Sequence, residues 1–151
     1  MDFITEFLIT IFESLNLYSV QGGLAEHLRG LDLECSDYTR QSIYSMVFLA
    51  LFLINSIIII NYYYGMLNRI PFNHIIWWIL NVFFGAFIMF FIAFLYSNND
   101  LESDNFCSSL SITTSDCVGF GMTTSIFSIV WSTLLSVLIK WNSSVNKKVP
   151  F

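Results

Sequence analysis

Ionisable side chains are missing from three long stretches of this chain. Residues 43–64, 75–96 and 120–139 contain no Asp, Glu, Lys, Arg or His. Intramembrane acids, bases and histidines are the working parts of proton- and voltage-driven machines, so their absence excludes most pumps. Basic residues are scarce overall, with 6 Lys and Arg against 11 Asp and Glu and a net charge of −5. Such a balance gives nucleic acid or anionic lipid little to bind. A cleavable signal peptide is not expected, because the first residues are acidic and no small-residue cleavage site follows an apolar stretch.

The remaining composition is apolar: 56% of residues are hydrophobic and the mean hydropathy is +0.68. That is too much for an ordinary water-soluble domain. At 1.5 Å per residue, each uncharged stretch is long enough for a hydrocarbon core of about 30 Å. An all-α membrane protein with three transmembrane helices is expected, at about 43–64, 75–96 and 120–139. Residues 1–42 precede these spans, 97–119 form an outer loop, and 142–151 form a short basic tail.

Lys and Arg are retained on the cytoplasmic side of short loops, whereas acids count for little. Arg69 is the only charge between the first two spans, and Lys140, Lys147 and Lys148 follow the third. Residues 97–119 carry Asp100, Glu102, Asp104 and Asp116 without a base. Acids also outnumber Arg29 and Arg40 before the first span. The expected topology is N-terminus outside and C-terminus cytoplasmic, in a bacterial inner membrane.

All three cysteines, Cys35, Cys107 and Cys117, fall in segments assigned outside. In an oxidising compartment the spacing offers Cys107 with Cys117 as a disulfide, leaving Cys35 odd; three free thiols are the alternative. Without a C-x-x-C pair or a nearby His, metal binding is not expected.

Apolar side chains at Phe3, Ile4, Phe7, Leu8, Ile11, Phe12 and Leu15 repeat at helical spacing. A helix over 3–17 is too short to cross the bilayer and carries Glu6 and Glu13. It is expected to lie at the interface, packed on the chain's own spans or docked to a partner through Phe3, Phe7, Ile11 and Phe12. Gly22 and Gly23 break it, and a short second helix follows over 24–29, stopped by Gly30. Aromatic residues Tyr62, Tyr63, Tyr64, Trp77, Trp78 and Trp141 are read as anchors at head-group depth. The turn between Gly65 and Pro71 makes the first two spans an antiparallel hairpin.

Ser125, Ser128, Ser132 and Ser136 share one face of the third span. Small hydroxylated residues let helices approach closely and bond across the contact. This face, with Asn55, Asn81 and Gly85, is expected to be a helix-packing seam; a pore wall is the alternative. Catalytic patterns are not found. His27 and His74 are assigned to opposite sides, no serine sits in G-x-S-x-G, and no intramembrane carboxylates pair. The expectation is no enzyme and no cofactor, although clustering of His27 with the acidic loop would raise a small membrane enzyme or immunity factor.

Cys117-Val118-Gly119-Phe120-Gly121 resembles a potassium-channel filter, whose backbone carbonyls line a pore. The preceding stretch, however, holds Ser108, Ser109, Ser111, Thr113, Thr114 and Ser115 where that family has an apolar pore helix, and no linker separates Met122 from the next span. A flexible entry to the third helix accounts for Gly119 and Gly121 more simply. The run Tyr62-Tyr63-Tyr64-Gly65-Met66-Leu67-Asn68-Arg69-Ile70-Pro71-Phe72-Asn73 with Trp77-Trp78, His27-Leu28-Arg29-Gly30 and Pro150-Phe151 resembles small uncharacterised Bacteroidota membrane proteins. Those proteins accompany type VI secretion-like contractile injection loci. The resemblance implies an accessory subunit of an envelope-spanning machine and carries over no functional residue.

The expected function is a non-catalytic integral membrane subunit that oligomerises or anchors a larger envelope complex. Its partners would be the lipid bilayer, other membrane subunits and copies of itself, and no nucleic acid. A homo-oligomeric pore or channel, including a defence effector, is the alternative.

Overall fold

The computed structural model describes residues 3–69, 72 and 74–143, with side chains except at 3–5 and 142. Pro71, Asn73 and residues 144–151, including most of the basic tail, lie outside the described residues. The fold is all-helical, with no strand among the described residues. The α-helices are α1 (Phe3–Glu13), α2 (Leu24–Arg29), α3 (Ile43–Tyr64), α4 (Ile75–Glu102) and α5 (Thr114–Ile139). Three of them, α3, α4 and α5, are long and apolar enough to cross a membrane, making this a multi-pass membrane protein.

Two helices outlast their apolar runs. Helix α4 continues to Glu102, six residues past the uncharged stretch, with Ser97 Oγ donating back to Ala93 O at 2.9 Å. Helix α5 begins at Thr114, six residues before its uncharged stretch. A reciprocal cap starts it: Thr113 N–H donates to Asp116 Oδ2 (3.0 Å) while Asp116 N–H reaches Thr113 Oγ1 (3.4 Å). Segment 97–119 is therefore mostly helix, and its connection shrinks to residues 103–113. Helix α2 ends as its sequence requires: Gly30 has φ +100° and its N–H returns to Glu26 O and His27 O.

The chain divides into two compact units, each taking part of the three long helices: Met1–Leu49 with Phe90–Thr124, and Ala50–Met89 with Ser125–Phe151. In the first, α1 buries Leu8, Ile9 and Phe12. Phe12 meets the rings of Tyr44 and Phe120 at centroid distances of 5.6 and 6.2 Å, and Tyr18 closes the cluster against Phe120 at 5.7 Å. Leu24, Ala25 and Leu28 of α2 are fully buried. In the second unit, Ile59, Tyr62, Tyr63 and Val82 form the core, flanked by Leu67, Trp78, Ile129, Leu135 and Ile139.

The disulfide pairing differs from the local expectation. Cys107 bonds Cys35, 72 residues away, with Cα atoms 5.4 Å apart; Cys117 is free and buried. Cys117 belongs to the first turns of α5 and is held by that helix, whereas Cys35 and Cys107 meet in a small cluster with Leu31 and Leu110. Chain proximity at ten residues could not outweigh that tertiary placement.

Candidate functional site

The polar residues of the spans converge in the unit containing Asn55. Its side chain is fully buried; Nδ2 donates to Leu51 O at 2.9 Å, and Oδ1 accepts from Ser128 Oγ (2.8 Å) and Ser132 Oγ (3.0 Å). Gly85 of α4 completes the junction, because a Cβ there would strike Asn55 Oδ1. Ser125 Oγ donates to Ala86 O at 3.0 Å, and Ser136 accepts from Trp78 Nε1 at 2.9 Å. Asn81 takes no part; its Nδ2 returns to Trp77 O on its own helix. The serine face thus joins helices of one chain. Buried Trp131 Nε1 has no partner among the described residues, and its ring lies against Phe52 at 5.1 Å.

This junction predicts graded mutational effects. Ser132→Ala is expected to cost about 1 kcal/mol for one hydrogen bond. Ser132→Leu is expected to cost about 2–4 kcal/mol, because it also forces volume into a closed helix contact. Thermal unfolding of the purified chain in one detergent checks the order; equal melting temperatures would refute the contact.

The second constellation lies in the other unit, at the start of the first uncharged run and in the segments before it. Arg29 Nε and Nη2 grip Glu13 Oε1 and Oε2 at 2.9 and 2.5 Å, and Tyr44 Oη donates to Glu13 Oε1 at 3.3 Å. The bond that Arg29 donates to Glu13 raises the Arg29 pKa above its ordinary value. Burial raises that of Tyr18, whose hydroxyl pairs with Tyr44 Oη at 2.9 Å. Ser19 N–H donates to Asp116 Oδ1 at 2.8 Å, tying the segment after α1 to the start of α5. In the disulfide-bearing turn, the Ser36 backbone N–H on Asp32 lowers that carboxyl below its usual range.

His27 is buried, and its Nε2 meets Asp100 Oδ2 of α4 at 3.0 Å. The histidine and the acidic segment are therefore together. They line a cavity of about 200 Å³ with Arg40, Gln41, Ile43, Met46 and Tyr96, among others. Among the described residues, its lining includes no Ser, Thr or Cys to act as a nucleophile.

Several anchors and docking residues are placed differently from expectation. Tyr62 and Tyr63 are fully buried, Tyr62 Oη donating to Phe72 O at 3.2 Å, so neither belongs to a head-group belt. Three consecutive helical residues spread over about 200° of arc and cannot all face outward. Tyr64, Trp77 and Trp141 are exposed; Tyr64 Oη donates to Ile139 O, and Lys140 Nζ lies 5.0 Å from the Trp141 ring centroid. Of the helix assigned to docking, Phe12 is core, Ile11 is half-buried and Phe7 is exposed; the Phe3 side chain lies outside the described residues. Residues 117–121 are helical, and Gly119 O accepts from Thr123 Oγ1 at 3.0 Å, so they do not form a filter. Gly119 instead lets the Leu17 carbonyl approach α5.

Comparison of the chain with family models, curated proteins and solved structures gives no match.

Proposed function

We infer that this chain is a non-catalytic integral membrane subunit that anchors or assembles with other subunits of an envelope complex, as the resemblance to proteins of contractile injection loci implies. The observation that carries this reading is the consumption of polar groups in the spans. Asn55, Ser125, Ser128, Ser132, Ser136 and Trp78 are bonded within the chain, and no ionisable side chain stands in the uncharged runs. That leaves little polar surface for moving a solute or a proton. A homo-oligomeric pore has less support, because the hydroxyls it would offer to water already hold helices of one chain together.

The unit bearing α1 and α2 supplies the complementary feature. It exposes Phe7, Leu15, Leu17, Leu33 and Tyr38 outside the uncharged runs, on a framework fixed by an ion pair and a disulfide. Large apolar side chains held rigidly at a surface suit contact with another subunit. Catalysis has less support at His27–Asp100, where no Ser, Thr or Cys among the described residues lines the cavity.

Affinity purification from native membranes, with Phe7→Ser and Leu33→Ser as a paired variant, tests the reading. A stoichiometric set of membrane partners that the variant loses is expected; recovery of the unmodified chain alone would refute it. An outside N-terminus is the orientation that the charges flanking the spans favour, and a bacterial inner membrane with that orientation fits a disulfide in an oxidising compartment. Lys147→Cys should resist a membrane-impermeant maleimide in intact cells and react after lysis. Labelling before lysis would reverse the orientation.

A further inference from the structure

The cavity beside His27 lies where two apolar helices give way to polar sequence. Ile43, Met46 and Tyr96 belong to the uncharged runs of α3 and α4, while Arg40, Gln41, Asp100 and Asn105 flank those runs. A compartment with one apolar wall and one charged wall matches the boundary between hydrocarbon and head groups. Met46 and Tyr96 are 42% and 45% exposed, so the apolar wall is reachable from the lipid side.

Two opposite charges face this space, each fixed by the protein and each with bonding capacity left. Arg40 Nη1 donates to Asn105 O at 2.9 Å, which leaves Nε and Nη2 without an acceptor among the described residues. Asp100 Oδ2 meets His27 Nε2, and Oδ1 accepts from no described residue. A guanidinium with two free donors suits a phosphate. A free carboxylate oxygen suits a cation that can donate an N–H.

We propose that this cavity binds a phosphoethanolamine head group, with the phosphate on Arg40 and the primary ammonium on Asp100 Oδ1. A choline head group has no N–H for Asp100, and a glycerol head group brings no cation. Phosphoethanolamine also exists free of lipid, but the Ile43, Met46 and Tyr96 wall suits the form that carries acyl chains.

Native mass spectrometry of the full chain released from detergent, titrated with phosphatidylethanolamine, phosphatidylcholine, phosphatidylglycerol and soluble phosphoethanolamine, tests this. Phosphatidylethanolamine is expected to be retained roughly tenfold more tightly than the other two lipids, the value of one charge-assisted hydrogen bond. The soluble zwitterion should bind more weakly than its lipid. In Asp100→Ala the preference for ethanolamine over choline should vanish, and in Arg40→Gln retention of all three lipids should fall. Equal retention of the three lipids by the unmodified chain would overturn the proposal, even where a variant fails to fold. Tighter binding of soluble phosphoethanolamine would overturn the lipid assignment.

Discussion

Gly119→Ala is expected to destabilise the folded chain by about 2–3 kcal/mol, although alanine is the better helix former by about 1 kcal/mol. The sign is set by what the new methyl meets. A Cβ at Gly119 points at the Leu17 carbonyl oxygen and carbon and lies near Tyr18 Cβ. Two of these are backbone atoms and cannot turn aside as a side-chain tip would. Segment 16–19 must therefore move away from α5, lengthening Ser19 N–H to Asp116 and Tyr18 Oη to Tyr44 Oη. Those losses exceed the propensity gain. Hydrogen exchange at the Ser19 amide should accelerate in the variant, with a lower melting temperature in detergent. An unchanged or raised melting temperature would show that the close approach is not made. Gly121→Ala is the milder control, because its Cβ would meet mainly the Phe90 ring.

That glycine marks how far the sequence could be read. The absence of charge from three runs announced α3, α4 and α5, because desolvating an ion is costly enough to govern composition alone. The ends of those helices depend on cheaper terms. Thr113 and Asp116 stand at capping-box spacing and could have revealed the earlier start of α5. That Tyr62, Tyr63 and Tyr64 could not all face outward was also legible, since three consecutive helical residues spread over about 200° of arc. His27 with Asp100 was not, being 73 residues apart and brought together only by packing. Likewise, the serine stripe with Asn55 and Gly85 announced a helix contact, but not that Ser128 and Ser132 would both bond Asn55 or that Asn81 would stay out of it.

Removing the Cys35–Cys107 bond should produce the other large effect. Cysteines 72 residues apart close a long loop, and restraining it removes about 4 kcal/mol of chain entropy from the unfolded ensemble. Losses on removing native disulfides run at about 2–5 kcal/mol, so Cys35→Ser with Cys107→Ser is expected to fall in that range. The effect should centre on the turn at 32–37 and the connection at 103–113. There Arg40 Nη1 to Asn105 O and Asp32 to Ser36 would remain as the weaker ties. Thiol counting separates this pairing from the local alternative. The native chain should give no reaction with a maleimide, because its one free thiol, Cys117, is buried; unfolding without reductant should expose one thiol and with reductant three. Cys117→Ser should leave the bridge and its stabilisation in place, since Cys117 is not a bonding partner. A Cys117→Ser variant with two free thiols after unfolding without reductant would refute the Cys35–Cys107 bond. Equal melting temperatures of the oxidised and reduced chain would show that the bond does not restrain the fold.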